Sequence, residues 1–143
     1  MHRIAYFFTF LFLMVSCETN KKEMKIEEEP VMYEASEMSL LMRGMYEFNK
    51  AARTHIINKD SLLAFPEEFL SIHKAVLTDP SERDKEFDSI AEQFIKAQKA
   101  TFSIQSDSTL YYFNKSVNLC ISCHETRCIG PIPKIKKLLI YPE

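Results

Sequence analysis

Apolar residues recur every three or four positions along most of this chain, which is the spacing of amphipathic α-helices. The pattern predicts four helices: residues 33–57, a second beginning at Pro66, a third capped by Asp79, and a fourth beginning near Ser106 or Asp107. The whole chain contains two glycines and few β-branched runs, which argues against a sheet protein. Four such helices with short connections predict an all-α protein, an antiparallel four-helix bundle.

Each predicted helix has an apolar stripe on one face. The third also has a start signal, because Pro80 would occupy its first position and Glu82 would complete a capping box with Asp79. The stripe of the fourth helix includes Cys120 and His124, so both are expected to face the interior. In chain order, the expected inward-facing residues are Met38, Leu41, Met42, Met45, Phe48, Ala52 and Ile56; Phe69, Ile72, His73 and Val76; Phe87, Ile90, Ala91, Phe94, Ile95 and Gln98; and Leu110, Phe113, Val117, Cys120 and His124.

The first sixteen residues follow a different pattern. His2 and Arg3 precede about a dozen apolar residues at positions 4–15. A transmembrane helix needs roughly 20 apolar residues, so residues 1–16 are a predicted signal peptide. The segment ends in MVSC at positions 14–17, which resembles a bacterial lipobox and implies cleavage before Cys17 and lipidation of its thiol. An ordinary signal peptide cleaved near Ser16 is the alternative.

Residues 17–30 are charged, contain few apolar side chains and end in proline, which predicts a flexible tether after the lipidated Cys17. Residues 31–143 then form one domain. We expect the lipid to hold this exported domain on the periplasmic or outer face of a bacterial membrane. The formal net charge of −2 gives no nucleic-acid-binding footprint.

The sequence Cys120-Ile121-Ser122-Cys123-His124 matches C-x-x-C-H, the attachment site of c-type haem. Two thiols one helical turn apart can each form a thioether with one haem vinyl group, and His124 can then bind the iron as its proximal ligand. Export agrees with this interpretation, since covalent haem attachment normally occurs outside the cytoplasm. The motif therefore predicts one covalently bound haem c near the C-terminus.

A haem motif on the last helix of a four-helix bundle resembles the class II c-type cytochromes. This family contains cytochrome c-prime and low-spin, methionine-ligated relatives, and the chain looks like a membrane-tethered bacterial version. The resemblance covers about residues 33–124 and includes LLMRGMY at 40–46 and YFN at 112–114. The tail at 128–138 departs from the family, whose chains end soon after the haem histidine. The resemblance implies electron transfer between periplasmic or membrane-bound redox partner proteins, and class II relatives are often homodimers.

The sixth iron ligand would decide between two functions. In the low-spin relatives a methionine of the first helix binds the iron, and Met42, which precedes Arg43, matches that position best. Met38 and Met45 lie on the same stripe, and His73 is a rival ligand from the second helix. A methionine ligand raises the reduction potential and suits electron transfer. Without a distal ligand, the iron would be five-coordinate and would bind nitric oxide or carbon monoxide.

Cys128 permits a different interpretation of the motif. Cys120, Cys123, His124 and Cys128 have a spacing suitable for a tetrahedral zinc site in a structural binding module. Alternatively, Cys128 packs against the haem-proximal turn beside Gly130 and Pro131, or remains a free thiol. A small basic cluster of Lys134, Lys136 and Lys137 follows, which is either a solvated face or a surface that attracts an acidic redox partner. The chain has no residue set typical of an enzyme.

Overall fold

The computed structural model describes residues 34–103 and 106–141, which belong to one compact unit, Glu34–Glu143. The predicted signal peptide, Cys17 and the tether lie outside the described residues. The described ranges contain three long α-helices, α1 (Glu37–Asn58), α2 (Lys85–Ser103) and α3 (Thr109–Arg127), and a short α4 (Ile132–Ile135). Three 3₁₀ segments, Glu67–His73, Pro80–Glu82 and Lys136–Leu138, complete the elements. Because these ranges hold helices and no strands, the all-α prediction is confirmed.

Helix α1 begins and ends with recognisable caps. The Ser36 hydroxyl accepts a hydrogen bond from the Ser39 N–H at 3.1 Å, which satisfies one of the unpaired donors of the first turn. At the other end, Lys59 has φ 60° and ψ 30°, and its N–H bonds to the carbonyls of His55 and Ile56. This left-handed residue terminates the helix where a glycine is more usual.

The predicted second helix is a seven-residue 3₁₀ segment, Glu67–His73. Phe69 and Ile72 are buried three positions apart, a spacing that suits the period of a 3₁₀ helix, whereas His73 and Val76 are exposed. Arg83 pairs backbone carbonyls that a continuing helix would have paired. Its guanidinium donates to the carbonyl of His73 at 3.1 Å and to that of Ala75 at 2.7 Å. The predicted α-helix is therefore wrong here, and the described residues do not confirm a four-helix bundle.

The third predicted helix starts later than expected. The Asp79 carboxylate does accept a hydrogen bond from the Ser81 N–H at 2.9 Å, but it caps only the 3₁₀ turn Pro80–Glu82. Helix α2 begins at Lys85, where the Asp84 carboxylate accepts from the Phe87 N–H at 2.8 Å. This bond, together with Arg127, lowers the pKa of Asp84.

Two clusters of buried side chains form the core. The cavity cluster joins α1, the 3₁₀ segment with the residues just after it, and α2: Met38, Met45, Phe69, Ile72, Ala75, Phe87, Ala91, Phe94 and Ile95. The tail cluster joins α1 and α3 to the residues after α3: Ala52, Phe113, Val117, Ile121, Ile135 and Leu138. Phe48 and Cys120 pack against both clusters, so the two parts of the core are continuous.

Asn114 attaches the C-terminal segment to α3. Its side-chain amide donates to the Ile140 carbonyl at 2.7 Å and accepts from the Ile140 N–H at 3.0 Å. Both backbone groups of Ile140 are thus paired in the way a neighbouring strand would pair them. These two hydrogen bonds hold the C-terminal segment, whose Ile135 and Leu138 belong to the tail cluster.

A buried polar layer crosses the three long helices. The Gln98 amide donates to Asn49 Oδ1 and to Ser116 Oγ, each at 2.8 Å, and Asn49 donates to the Met45 carbonyl at 2.8 Å. Such a layer favours one register of the helices, because sliding any helix would break these buried hydrogen bonds. The layer lies one helical turn from Met45, Phe94 and Cys120, residues of the site described next. No helix among the described residues is long and apolar enough to cross a membrane.

Candidate functional site

An apolar cavity lies between α1, the 3₁₀ segment Glu67–His73, α2 and α3. It has a volume of about 40 Å³. The cavity is lined by Met42, Met45, Ile72, Phe87, Ile90, Ala91, Phe94, Leu119, Cys120, Cys123 and His124. Both cysteines and the histidine of the C-x-x-C-H motif therefore face the same cavity as two of the three methionines proposed as ligands.

Helix α3 positions the two thiols in its last two turns. Cys120 and Cys123 are one turn apart and half-buried, and Cys120 lies against both parts of the core. Burial raises the pKa of the Cys120 thiol from 9.0 to about 12, and the nearby Cys123 adds to this shift. Burial also raises the pKa of Cys123, although Arg127 opposes the shift. Both thiols are therefore protonated at neutral pH.

The ring orientation of His124 is fixed by the backbone just beyond α3. Nδ1 lies 2.8 Å from the carbonyl oxygen of Cys128, which is only an acceptor, so Nδ1 must carry the proton. The other nitrogen, Nε2, then has a free lone pair in this tautomer. Histidines that bind metals usually donate their second ring N–H to a carbonyl or carboxylate in this way.

Cys128 contributes its backbone rather than its thiol. Its side chain is exposed, so the expectation that it packs against the proximal turn is wrong. Its N–H donates to the His124 carbonyl at 3.1 Å, and its own carbonyl accepts from the His124 ring. Since Pro131 and the following segment turn the chain back along α3, the thiol is left pointing to solvent.

The zinc interpretation receives no support from the geometry. Within residues 34–103 and 106–141, no group of three or more His, Cys, Asp or Glu side chains is arranged to hold a metal ion. Cys120, Cys123, His124 and Cys128 all lie in these ranges, and they do not form such a group.

The candidate distal ligands differ in whether they line the cavity. Met42 and Met45 line the cavity, with Met42 half-buried and Met45 buried. Met38 is buried in the cavity cluster but is not part of the lining. His73 is exposed and also lies outside the lining, which removes the premise that it faces the core.

Arg127 is a feature of the site that the sequence pattern did not reveal. Its guanidinium donates to the Glu82 carbonyl at 3.0 Å, to Asp84 Oδ1 at 2.9 Å and to Glu86 Oε2 at 3.3 Å. The last turn of α3 is thus tied to the start of α2. The only sequence signal was its position, four residues after Cys123 and hence on the same helix face.

The basic cluster after the motif lies along α1. Lys134 Nζ is 4.0 Å from the centre of the Tyr46 ring and 3.7 Å from Glu47 Oε1. Lys134, Lys136 and Lys137 are all exposed. Lys134 therefore contacts Tyr46 and Glu47 of α1, whereas Lys136 and Lys137 add positive charge to the exposed surface.

The residues at the cavity fit the donor set of a c-type haem. Two thiols one turn apart, a histidine with Nε2 available and a thioether in one apolar cavity are the groups that such a haem uses. The space is smaller than the group requires, because ligand sites typically measure roughly 300–1,000 Å³. A haem therefore fits only if the lining side chains of α1, α2 and α3 move apart.

Comparison of the chain with protein-family models, with curated proteins and with solved structures finds no match.

Proposed function

We propose that this protein is a mono-haem c-type cytochrome that carries single electrons between periplasmic or membrane-bound redox partners. The observation that carries the proposal is the hydrogen bond from His124 Nδ1 to the Cys128 carbonyl, which leaves the Nε2 lone pair free on a residue that lines the same cavity as both motif cysteines. The haem, when bound, supplies the one-electron redox chemistry.

The residues around the cavity would have separate roles. Cys120 and Cys123 would anchor the haem by thioethers, and His124 would be the proximal ligand of its iron. Met42 is our proposed distal ligand, because it lines the cavity on the helix facing α3 and precedes Arg43 in the sequence that resembles the class II family. The apolar side chains of α2 would exclude water from the iron, which favours the reduced, less charged state.

The proposed architecture is a variant of the class II cytochrome bundle. In it, α1, α2 and α3 would form three sides, and the 3₁₀ segment Glu67–His73 would replace the second helix. Beside a bound haem, this shorter element would let the cavity widen more easily than a fourth packed helix would. We further propose that a lipid on Cys17 tethers the domain to a bacterial membrane on the exported side.

Absorption spectra of the protein expressed with a haem-maturation system test this proposal. A low-spin c-type spectrum that carbon monoxide does not change is expected for an electron carrier with histidine and methionine ligands. A high-spin spectrum that shifts with carbon monoxide would indicate a five-coordinate gas-binding protein instead. No haem spectrum at all would overturn the proposal.

The third cysteine of the domain provides a matched control. Cys120→Ala and Cys123→Ala are each expected to abolish normal haem attachment through two thioethers. Cys128→Ala is expected to leave it intact, because residue 128 contributes a backbone carbonyl and its thiol is exposed. Equal losses in all three variants would contradict the assignment of the two thioether positions.

A further inference from the structure

Arg127 ties the last turn of α3 to the residues around the start of α2. Its side chain is 12% exposed although it is charged. The guanidinium bonds to one carbonyl and two carboxylates around the start of α2, and its Cζ lies 5.9 Å from the centre of the Phe87 ring. Phe87 is itself buried and lines the cavity. Ion pairs of an exposed arginine contribute little to stability. Because the Arg127 side chain is mostly buried, these contacts hold it in a defined position.

Arg127 lies next to the backbone group that bonds to the His124 ring. Arg127 is the last residue of α3, and Cys128 follows it directly as the helix cap. The Cys128 carbonyl accepts the hydrogen bond of His124 Nδ1 at 2.8 Å. If Arg127 were released from Asp84 and Glu86, the last turn of α3 could fray, and this carbonyl would move away from the imidazole.

We propose that Arg127 is a positioning residue for the proximal iron ligand: by attaching the end of α3 to the start of α2, it holds the Cys128 carbonyl against the His124 ring. The functional consequence rests on the proposed haem function. A hydrogen bond on Nδ1 sets the orientation and basicity of a metal-binding imidazole. Arg127 would thus influence the reduction potential without contacting the iron or its ligand directly.

The test is the hydrogen-exchange rate of the His124 Nδ1 proton, measured by nuclear magnetic resonance on the full chain with any bound haem reduced. His55 provides an internal reference, because its Nδ1 lies 2.9 Å from the Ser61 carbonyl at the far end of α1. Arg127→Ala is expected to speed exchange at His124 roughly tenfold, since a hydrogen bond to a charged group contributes about that factor or more. Exchange at His55 should not change.

Conservative variants keep the test valid if Arg127→Ala does not fold. Arg127→Lys retains the charge but lacks the fork that reaches Glu82 and Asp84 together, so it should also speed exchange at His124. Asp84→Asn keeps a cap for α2 while removing the ion pair with Arg127. Asp79→Asn is the matched control, because Asp79 caps the neighbouring 3₁₀ turn through Ser81.

The outcomes separate the positioning role from general stability and from the haem assignment. Faster exchange at His124 alone, with a changed reduction potential in the haem-loaded variants and no effect of Asp79→Asn, supports the proposal. Unchanged exchange at His124, or equal acceleration at His55, would overturn it. If the chain carries no haem, the exchange measurement still tests whether Arg127 positions His124, whereas the spectra alone would refute the proposed function.

Discussion

The two core clusters of this domain differ in how completely they are closed. In the tail cluster, Phe113, Val117 and Ala52 are at most 1% exposed, and Asn114 fastens the C-terminal segment over them. The cavity cluster also contains buried side chains, such as Phe69 and Phe87, but it borders an open space lined in part by the half-buried Met42 and Cys123. Both motif cysteines, His124, Met42 and Met45 line this space, although Cys120 also packs against the tail cluster. The comparison indicates that both clusters stabilise the fold and that the cavity cluster also provides most of the candidate site.

The largest effect on stability is expected in the tail cluster. Phe113→Ala should lower the free energy of unfolding by about 3–5 kcal/mol, because Phe113 is fully buried and its removal leaves a cavity. Chemical denaturation monitored by circular dichroism measures this loss. Tyr111→Ala, at an exposed position two residues earlier, is the control and should cost little. A loss below about 1 kcal/mol at Phe113 would contradict the division between the halves.

Release of the C-terminal segment should have the next largest effect. Asn114→Ala removes two hydrogen bonds to the Ile140 backbone and is expected to cost about 1–3 kcal/mol. It should also make residues after Pro131 susceptible to limited proteolysis while the haem spectrum is retained. Asn118→Ala, one turn later on the exposed face of α3, is the matched control. A changed haem spectrum in the Asn114 variant would mean that the two halves are more tightly coupled than proposed.

In protein without attached haem, the buried thiol of Cys120 should make the free energy of unfolding fall at alkaline pH. The folded pKa of Cys120 is raised to about 12 from 9.0, so its contribution to stability is fully present below pH 9 and is lost as pH rises towards 12. Cys120→Ala should reduce this alkaline loss, measured by denaturation at each pH, whereas Cys128→Ala should not. An identical decline in the Cys120 variant would show that another group is responsible.

The smallest effect on stability, with a clear effect on function, is expected at the distal position. Met42→Ala should cost only about 1 kcal/mol because Met42 is half-buried. In the haem-loaded protein it should convert a low-spin spectrum to a high-spin one that responds to carbon monoxide. Met45→Ala is the matched comparison, since Met45 lines the same cavity but is buried. A spectral change in the Met45 variant alone would transfer the distal role to that residue.

The sequence predicted those parts of the fold in which periodicity and tertiary structure agree. The stripe of α3 placed Phe113 and Val117 in the core, and the start of α3 was correct within about three residues. The second helix was wrong because Phe69 and Ile72 are also compatible with a 3₁₀ segment, and because Arg83 binds the carbonyls that a helix would have paired. Apolar spacing alone does not predict such a bond between a polar side chain and the backbone.

The candidate site was predictable to a similar degree. The C-x-x-C-H spacing identified the groups that line the cavity, and helical periodicity brought Met42 and Met45 to it. The supporting contacts were not predictable, because the carbonyl of Cys128 has no residue-specific signature and Arg127 acts on residues 82–86, which are distant in sequence. His73 was misplaced because its position on the stripe depended on a helix that does not form.

The most direct test of the central claim is the intact mass of the protein after expression with haem maturation and denaturation, combined with alkylation of its free cysteines. We predict that the mass of one haem remains attached and that Cys128 is alkylated while Cys120 and Cys123 are protected. A denatured chain that has lost all haem, with Cys120 and Cys123 both alkylated, would contradict the assignment of this protein as a c-type cytochrome.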